Sequence, residues 1–191
     1  MAEITRCPWP SKDPLYITYH DAEWGIPNYD GRLLFEKVIL EGAQSGLSWI
    51  TILKKRENYR RLFEGFDPAK VAAFDDEDVA RLMADAGIIR NQAKIRSAIK
   101  NAKAFIKHFG TDEDAFSAFM WGFVGGEPII NQRNSMEDLP PVIDASTKMS
   151  KALKKIGFSF VGPTTCYALM QAAGMVDDHL VTCFRHTSNR P

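Results

Sequence analysis

The sequence predicts an all-α protein built as one domain. Three observations carry this. Apolar residues recur at helical spacing through most of the chain, no alternating apolar–polar run reaches useful strand length, and capping residues stand just before the periodic stretches. A length of 191 residues suits one domain, drawn over 1–191. At this size roughly 70% of the unfolded surface can be hidden, so a core is available without disulfides. With 45% hydrophobic and 25% charged residues, disorder and collagen-like structure are excluded.

The elements follow in order. Before Asp30 the chain reads as irregular. Asp30 caps a helix whose apolar positions Leu33, Leu34, Val38, Ile39 and Leu40 share helical spacing, ending near Gly42. Ser48 is the next cap, ahead of Ile50, Leu53, Tyr59 and Leu62. Asp67-Pro68 sets a capping carboxylate before a proline at the first helical position. Asp76 or Asp78 starts a short helix through Leu82 and Met83 that breaks at Gly87, and Asn91 opens a long one to about Phe109. Further helices are predicted over 113–123, 146–156 and 163–174, the last begun by Gly162-Pro163. The stretch from Gly125 to Asp144 is the longest loop, and the chain after Gly174 again reads as irregular. Both ends need something to hold them down.

The segment from Met1 to Pro14 has no apolar signal-peptide core, and nowhere do 18 apolar residues run together. No membrane partner is expected. Three widely spaced cysteines argue against a disulfide framework and for a reducing compartment, so the expected location is cytoplasmic.

Equal numbers of basic and acidic residues, 24 each, give no net charge, but the charges segregate. From Ile88 to Gly110 there is no acid, while Arg90, Lys94, Arg96, Lys100, Lys103 and Lys107 are present. Lys54, Lys55, Arg56, Arg60 and Arg61 form a second basic group, and Lys148, Lys151, Lys154 and Lys155 a third. Such runs are either solvated helix faces or a phosphate-binding surface. The turn around Gly87 bears on the choice. A glycine turn followed by a helix N-terminus offers backbone N–H groups to a phosphate. A plain helix–helix connection has the same look, and Ile89 stands where a helix-hairpin-helix would place its second glycine.

Two clusters suggest chemistry. Cys7 and His20 near the start, with His179 and Cys183 near the end, supply two thiolates and two imidazoles, a tetrahedral zinc set. The spacing of four between His179 and Cys183 puts both on one face of a helical turn. A buried cysteine beside an unrelated histidine is the alternative. Closing a loop of this length costs roughly 4–5 kcal/mol, within the ~10–16 kcal/mol typical of structural zinc binding. Cys166 reads as core. In the second cluster, Glu41 ends the apolar stretch Val38-Ile39-Leu40, where a carboxylate is costly unless it faces a cavity or partner. Trp9, Tyr16, Tyr19, Trp24 and Trp49 fall outside the predicted helix interiors. Aromatic walls and a carboxylate suit a planar cation; a small core with an exposed helix-terminal glutamate is the plainer reading.

The chain resembles the bacterial 3-methyladenine DNA glycosylase I family. The matching stretches are Arg6-Cys7-Pro8-Trp9, the run from Asp13 to Gly25, the run from Leu40 to Ile50, Leu53-Lys54-Lys55-Arg56-Glu57, Gly157-Phe158-Ser159-Phe160-Val161-Gly162 and Asp178-His179, so the likeness spans from about residue 6 to the end. The resemblance implies a helix-hairpin-helix glycosylase fold, with the hairpin over about 78–108. It also implies one structural zinc on Cys7, His20, His179 and Cys183 that joins segments 1–29 and 175–191. Its expected partner is double-stranded alkylated DNA and its product free 3-methyladenine. Glu41 would recognise the flipped base by accepting hydrogen bonds, Trp49 would stack on it, and Tyr19, Trp9 and Tyr16 would complete the pocket. Gln44, Gly46 and Leu47 would fill the gap left in the duplex. Gly87, Arg90, Lys94 and Arg96 would hold the DNA backbone.

Many relatives of that fold carry a catalytic aspartate after the hairpin. The acid-free stretch here omits it, and no motif places a lysine as a Schiff-base nucleophile. Monofunctional hydrolysis by a monomer is therefore expected. A non-catalytic, zinc-stapled DNA-binding module is the main alternative, and a small-molecule enzyme taking a free cationic purine is a third.

Overall fold

Ten α-helices and one pair of two-residue strands make up most of the regular structure of residues 4–190, which a computed structural model describes. The predicted domain reaches beyond these to residues 1–3 and 191, which lie outside the described residues. No described helix is long and apolar enough to cross a membrane.

The first helix, α1 (Pro14–Ala22), corrects the sequence reading. Asp13 accepts from the Leu15 N–H and Pro14 takes the first helical position, the same start signal as Asp67-Pro68. Its weak amphipathicity hid it, because its aromatics face a site rather than the core. The central helix α2 (Gly31–Gln44) starts at the predicted Asp30 cap and buries ten of its fourteen residues, including Glu36 and Glu41. A helix buried almost all round must satisfy its acids by other means than water. Arg60 does so for Glu36 through a bidentate pair of 2.8–3.1 Å.

The stretch after Ser48 divides into α3 (Trp49–Leu53) and α4 (Arg56–Leu62). Ser48 stands at the N-cap of α3 as expected, but its hydroxyl pairs with Thr51 Oγ1 and makes no capping bond to the backbone. At α5 (Pro68–Ala72) Asp67 accepts from Ala69 and Lys70 as predicted. Helix α6 (Asp76–Ala84) starts one residue later than its cap, Asp75, whose reciprocal bonds with Asp78 form a capping box. A turn through Gly87 leads to α7 (Gln92–Phe109), capped by Asn91. Then follow α8 (Glu113–Trp121), α9 (Asp144–Lys155) and α10 (Pro163–Ala172). The core is one aromatic-rich cluster in which Phe35, Phe105, Phe116 and Phe158 pack around α2, with α8, α10, α3 and α7 as neighbours.

The long loop is more ordered than its sequence suggests. Strand β1 (Ile129–Ile130) pairs in parallel with β2 (Val176–Asp177), and Arg133 bridges to Leu180. Two residues per strand carry no detectable alternation, so no periodicity could reveal them. The pairing lays the C-terminal segment along the loop and thereby places Asp178 and His179.

Candidate active site and metal centre

Helices α1, α2, α3 and α10 and the long loop enclose a cavity of about 220 Å³ lined by Trp9, Tyr16, Tyr19, Glu41, Trp49 and Gln171, among others. Drug-sized ligands occupy ~300–1,000 Å³, so this space suits one small ring system. All five predicted pocket residues line it. Trp9 is the hub of the aromatic wall: its ring centroid lies 5.0 Å from Tyr16 and 5.0 Å from Trp24, edge to face. Tyr19 and Trp49 face each other at 5.4 Å, tilted by 42°. The buried indole Nε1 of Trp49 has no hydrogen-bond partner among the described residues.

Glu41 is 5% exposed and makes no hydrogen bond to any described residue. Burial pushes its carboxyl up to about 8; the charge of Lys37, one helical turn back, opposes this only in part. Near neutral pH the empty pocket therefore holds a mostly protonated glutamate, ready to ionise when a cation arrives. Tyr19 is likewise raised, first by burial and then by Glu41.

The second carboxylate at the cavity behaves differently. Asp178 Oδ2 accepts from the hydroxyl of Tyr167 at 2.5 Å and from Gln171 Nε2 at 2.9 Å. Its Oδ1 accepts from Asn131 and Arg133 at 2.9 and 3.0 Å. With both oxygens engaged it braces the wall. Sequence reasoning missed Gln171, Met136 and Leu139 as lining residues; nothing local marks them, since they arrive from α10 and the long loop.

The chain ends meet beside this wall. Ligand atoms of Cys7, His20 and Cys183 all lie within 4.8 Å of one another. His179 lies outside that group, with its ring centroid 5.2 Å from that of His20. The spacing argument for His179 and Cys183 is corrected: residues 181–186 form turns and bends rather than a helix, and Cys183 N–H donates to Leu180 O. Each imidazole is fixed from behind by a carboxylate, His20 Nδ1 by Asp21 Oδ1 and His179 Nδ1 by Asp177 Oδ1, both at 2.8 Å. A carboxylate can only accept, so each Nδ1 donates to it and each Nε2 points away from it, in His20 to 3.5 Å from Cys183 Sγ, the arrangement found behind metal-bound histidines. The buried Nε2 of His179 has no partner among the described residues. Gly25, at φ +71°, is required here because a Cβ would overlap the His179 ring. Two thiols, two oriented imidazoles and an orphaned nitrogen fit zinc.

The basic groups are less free than their sequence suggests. Lys54 pairs with Asp13, Arg56 with Glu23, Arg60 with Glu36 and Glu57, and Arg61 with Asp85, while Lys55 donates to Ala86 O. Each of these cations thus has a partner within the fold, although Lys54 and Arg61 remain largely exposed. The Gly87 N–H is taken by Asp85 Oδ1 at 2.7 Å, so it is not the free donor that the turn suggested. Lys94 donates to both Ala43 O and Ser45 O at 2.7 Å, and Arg96 pairs with exposed Asp76. Arg90 is exposed, and the first-turn N–H groups of Gln92 and Ala93 have no intrahelical acceptor. Beside them the loop after α2 exposes Gly46 and Leu47, the latter 40% exposed, with Gln44 half-buried at the cavity.

The chain is similar to known proteins along nearly its whole length. The family described as methyladenine glycosylase matches residues 9–186. A relative from Escherichia coli (strain K12), DNA-3-methyladenine glycosylase 1, is 53% identical over 98% of this chain and 100% of its own. Among solved structures, a crystal structure of 3-methyladenine DNA glycosylase I is 53% identical, with a TM-score of 0.92 over 95% of this chain and 100% of that one. A 3-methyladenine DNA glycosylase I from Staphylococcus aureus, solved to explain 3-methyladenine recognition, is 39% identical with a TM-score of 0.90, covering 97% of each chain.

Proposed function

The chain belongs to the methyladenine glycosylase family, and from that premise we propose that it hydrolyses the N-glycosidic bond of 3-methyladenine in alkylated double-stranded DNA. One observation carries the reading: a buried, unpartnered Glu41 on an aromatic cavity of single-base size. Alkylation at N3 gives adenine a positive charge and weakens its bond to the sugar. Flipping the nucleotide costs a few kcal/mol of stacking and pairing, least for a damaged base. In the pocket Trp49 stacks on the base, Tyr19 meets its polar edge, and Tyr16 and Trp9 close the wall. Glu41 ionises beside the cation and accepts from its exocyclic amine. Cleavage returns the bonding electrons to the ring, so the base departs neutral and needs no acid. Water then adds to the sugar carbon and gives up a proton. Adenine itself brings no charge to Glu41 and is a poor leaving group, so pocket and chemistry discriminate together.

No lysine lines the cavity, which supports hydrolysis without a lyase step. Chromatography of methylated duplex treated with the protein is expected to show free 3-methyladenine and no strand cleavage. Duplex binding without base release would make the protein a binding module instead. One Zn²⁺ held by Cys7, His20, His179 and Cys183 would be structural, because four protein ligands leave no position for water. The three buried free cysteines suit the reducing cytoplasm.

For the DNA backbone we assign α6, the Gly87 turn and α7 as a helix-hairpin-helix, with Arg90, Arg96 and the α7 N-terminus toward phosphates. Lys94 braces the loop instead. Arg96→Ala is expected to reduce the slope of log affinity against log salt by roughly one unit. Lys94→Met should weaken excision while leaving that slope in place. Titrations of undamaged duplex between 50 and 200 mM salt, conditions chosen on the order of those where phosphate contacts tell, decide between brace and phosphate contact.

A further inference from the structure

Phe160 combines features that packing alone does not require. It is 37% exposed, yet its backbone sits at φ +56°, a left-handed conformation that side-chain-bearing residues rarely adopt. Its neighbours hold it there. Buried Asn101 grips Ser159 from both sides, accepting from the Ser159 N–H at 2.8 Å and donating to Ser159 O at 3.0 Å. On the other side Ser150 Oγ donates to Val161 O at 2.6 Å. A buried polar clamp thus sustains a strained turn whose product is an exposed phenyl ring. Strain of this kind gathers at functional positions.

The turn's location says which function. A Cβ on Gly42 would lie 3.2 Å from Phe160 Cβ, so the phenylalanine stands at the root of the loop that presents Leu47. Asn101 and Lys94 are seven residues apart on α7 and share one of its faces. The same face of the second hairpin helix therefore fixes two loops, one through Ala43 and Ser45 and one through Ser159. Each loop exposes one large apolar side chain beside the helix assigned to the DNA backbone.

We infer that Phe160 is a second apolar contact with the damaged duplex, working with Leu47 to hold the stack open while the base is out. Unstacked base pairs offer apolar faces, and proteins that open or kink DNA insert such side chains. This rests on the glycosylase reading above.

The test compares Phe160→Ala, Phe160→Gly and Phe160→Leu with the unmodified protein. Glycine removes the ring and accepts the left-handed backbone without strain, so a loss shared by the glycine and alanine variants reports the ring and not the fold. Single-turnover release of 3-methyladenine from methylated duplex is expected to fall at least about tenfold in the alanine and glycine variants and to recover mostly in the leucine variant. Binding of free 3-methyladenine should stay unchanged, because Phe160 does not line the cavity. The signal from a 2-aminopurine placed next to an abasic site, which reports unstacking, should drop in parallel. Wild-type excision by the glycine variant would overturn the inference. So would an equal loss of free-base binding, which would make the ring part of the pocket. If the unmodified protein releases no base from duplex, the glycosylase reading fails and takes this inference with it; a defect confined to the Phe160 variants leaves that reading standing.

Discussion

Glu41→Gln is expected to lower excision from methylated duplex by about 10- to 150-fold, corresponding to the ~1.5–3 kcal/mol of a lost charge-assisted hydrogen bond. Glutamine keeps the shape, removes the charge the cation meets, and turns one acceptor into a donor. Affinity for undamaged duplex and zinc content should hardly move, since they rest on other residues. The pH profile gives a second signature. Burial holds the carboxyl at about 8, so the cation must displace a proton from Glu41 below that pH. In the unmodified protein kcat/KM should therefore rise through pH 6–9 with an apparent pKa near 8, a limb the glutamine variant should lack.

Stability should respond in the opposite sense. The folded-state value lies above the ordinary 4.5 of glutamate, so this group's contribution is complete below that value and is lost as pH rises through about 8. The full shift sets an upper bound of about 5 kcal/mol at pH 9. Glu41→Gln escapes that loss and should melt higher than the unmodified protein at pH 9, with no advantage at pH 5. Wild-type excision by this variant would mean that Glu41 is a buried helix residue and no more.

Removal of the metal should have the other large effect. Cys183→Ser, or a strong chelator, is expected to release one zinc and free the two chain ends from each other. The loop-closure cost of roughly 4–5 kcal/mol then returns, which for a chain of this size means a fall in Tm of about 10–15 °C. Metal analysis and calorimetry with and without chelator measure both quantities. An unchanged Tm would show that Arg6–Asp21, the Arg6–Phe184 contact and the β1–β2 pairing hold the ends by themselves.

How far the sequence reached depends on the range of the forces involved. Asp30, Asp67 and Asn91 cap the helices they were expected to cap, because a capping bond spans only two or three residues. The helical period of α7 likewise follows from neighbours along one chain segment. The missed α1 shows the limit: its start signal was present in Asp13-Pro14, but its aromatics serve the cavity and blur the apolar stripe.

The candidate pocket was legible as a carboxylate among aromatics and, residue by residue, through the resemblance, but the electrostatics of Glu41 were not. Glu41 stands out in sequence as a carboxylate after three apolar residues, but its shift to about 8 comes from being walled in by α1, α3 and α10. Lys94 shows the same division. Its sequence marks it as one of six basic residues in an acid-free stretch, equal to the rest. Only the fold brings it to Ala43 O and Ser45 O, 51 and 49 residues away, and so gives it two partners that no other basic residue of the stretch has. Residue type and local period are written in short stretches of chain. Burial, desolvation and the meeting of Cys7 with Cys183 are sums over segments far apart in sequence, and the tertiary structure alone performs those sums.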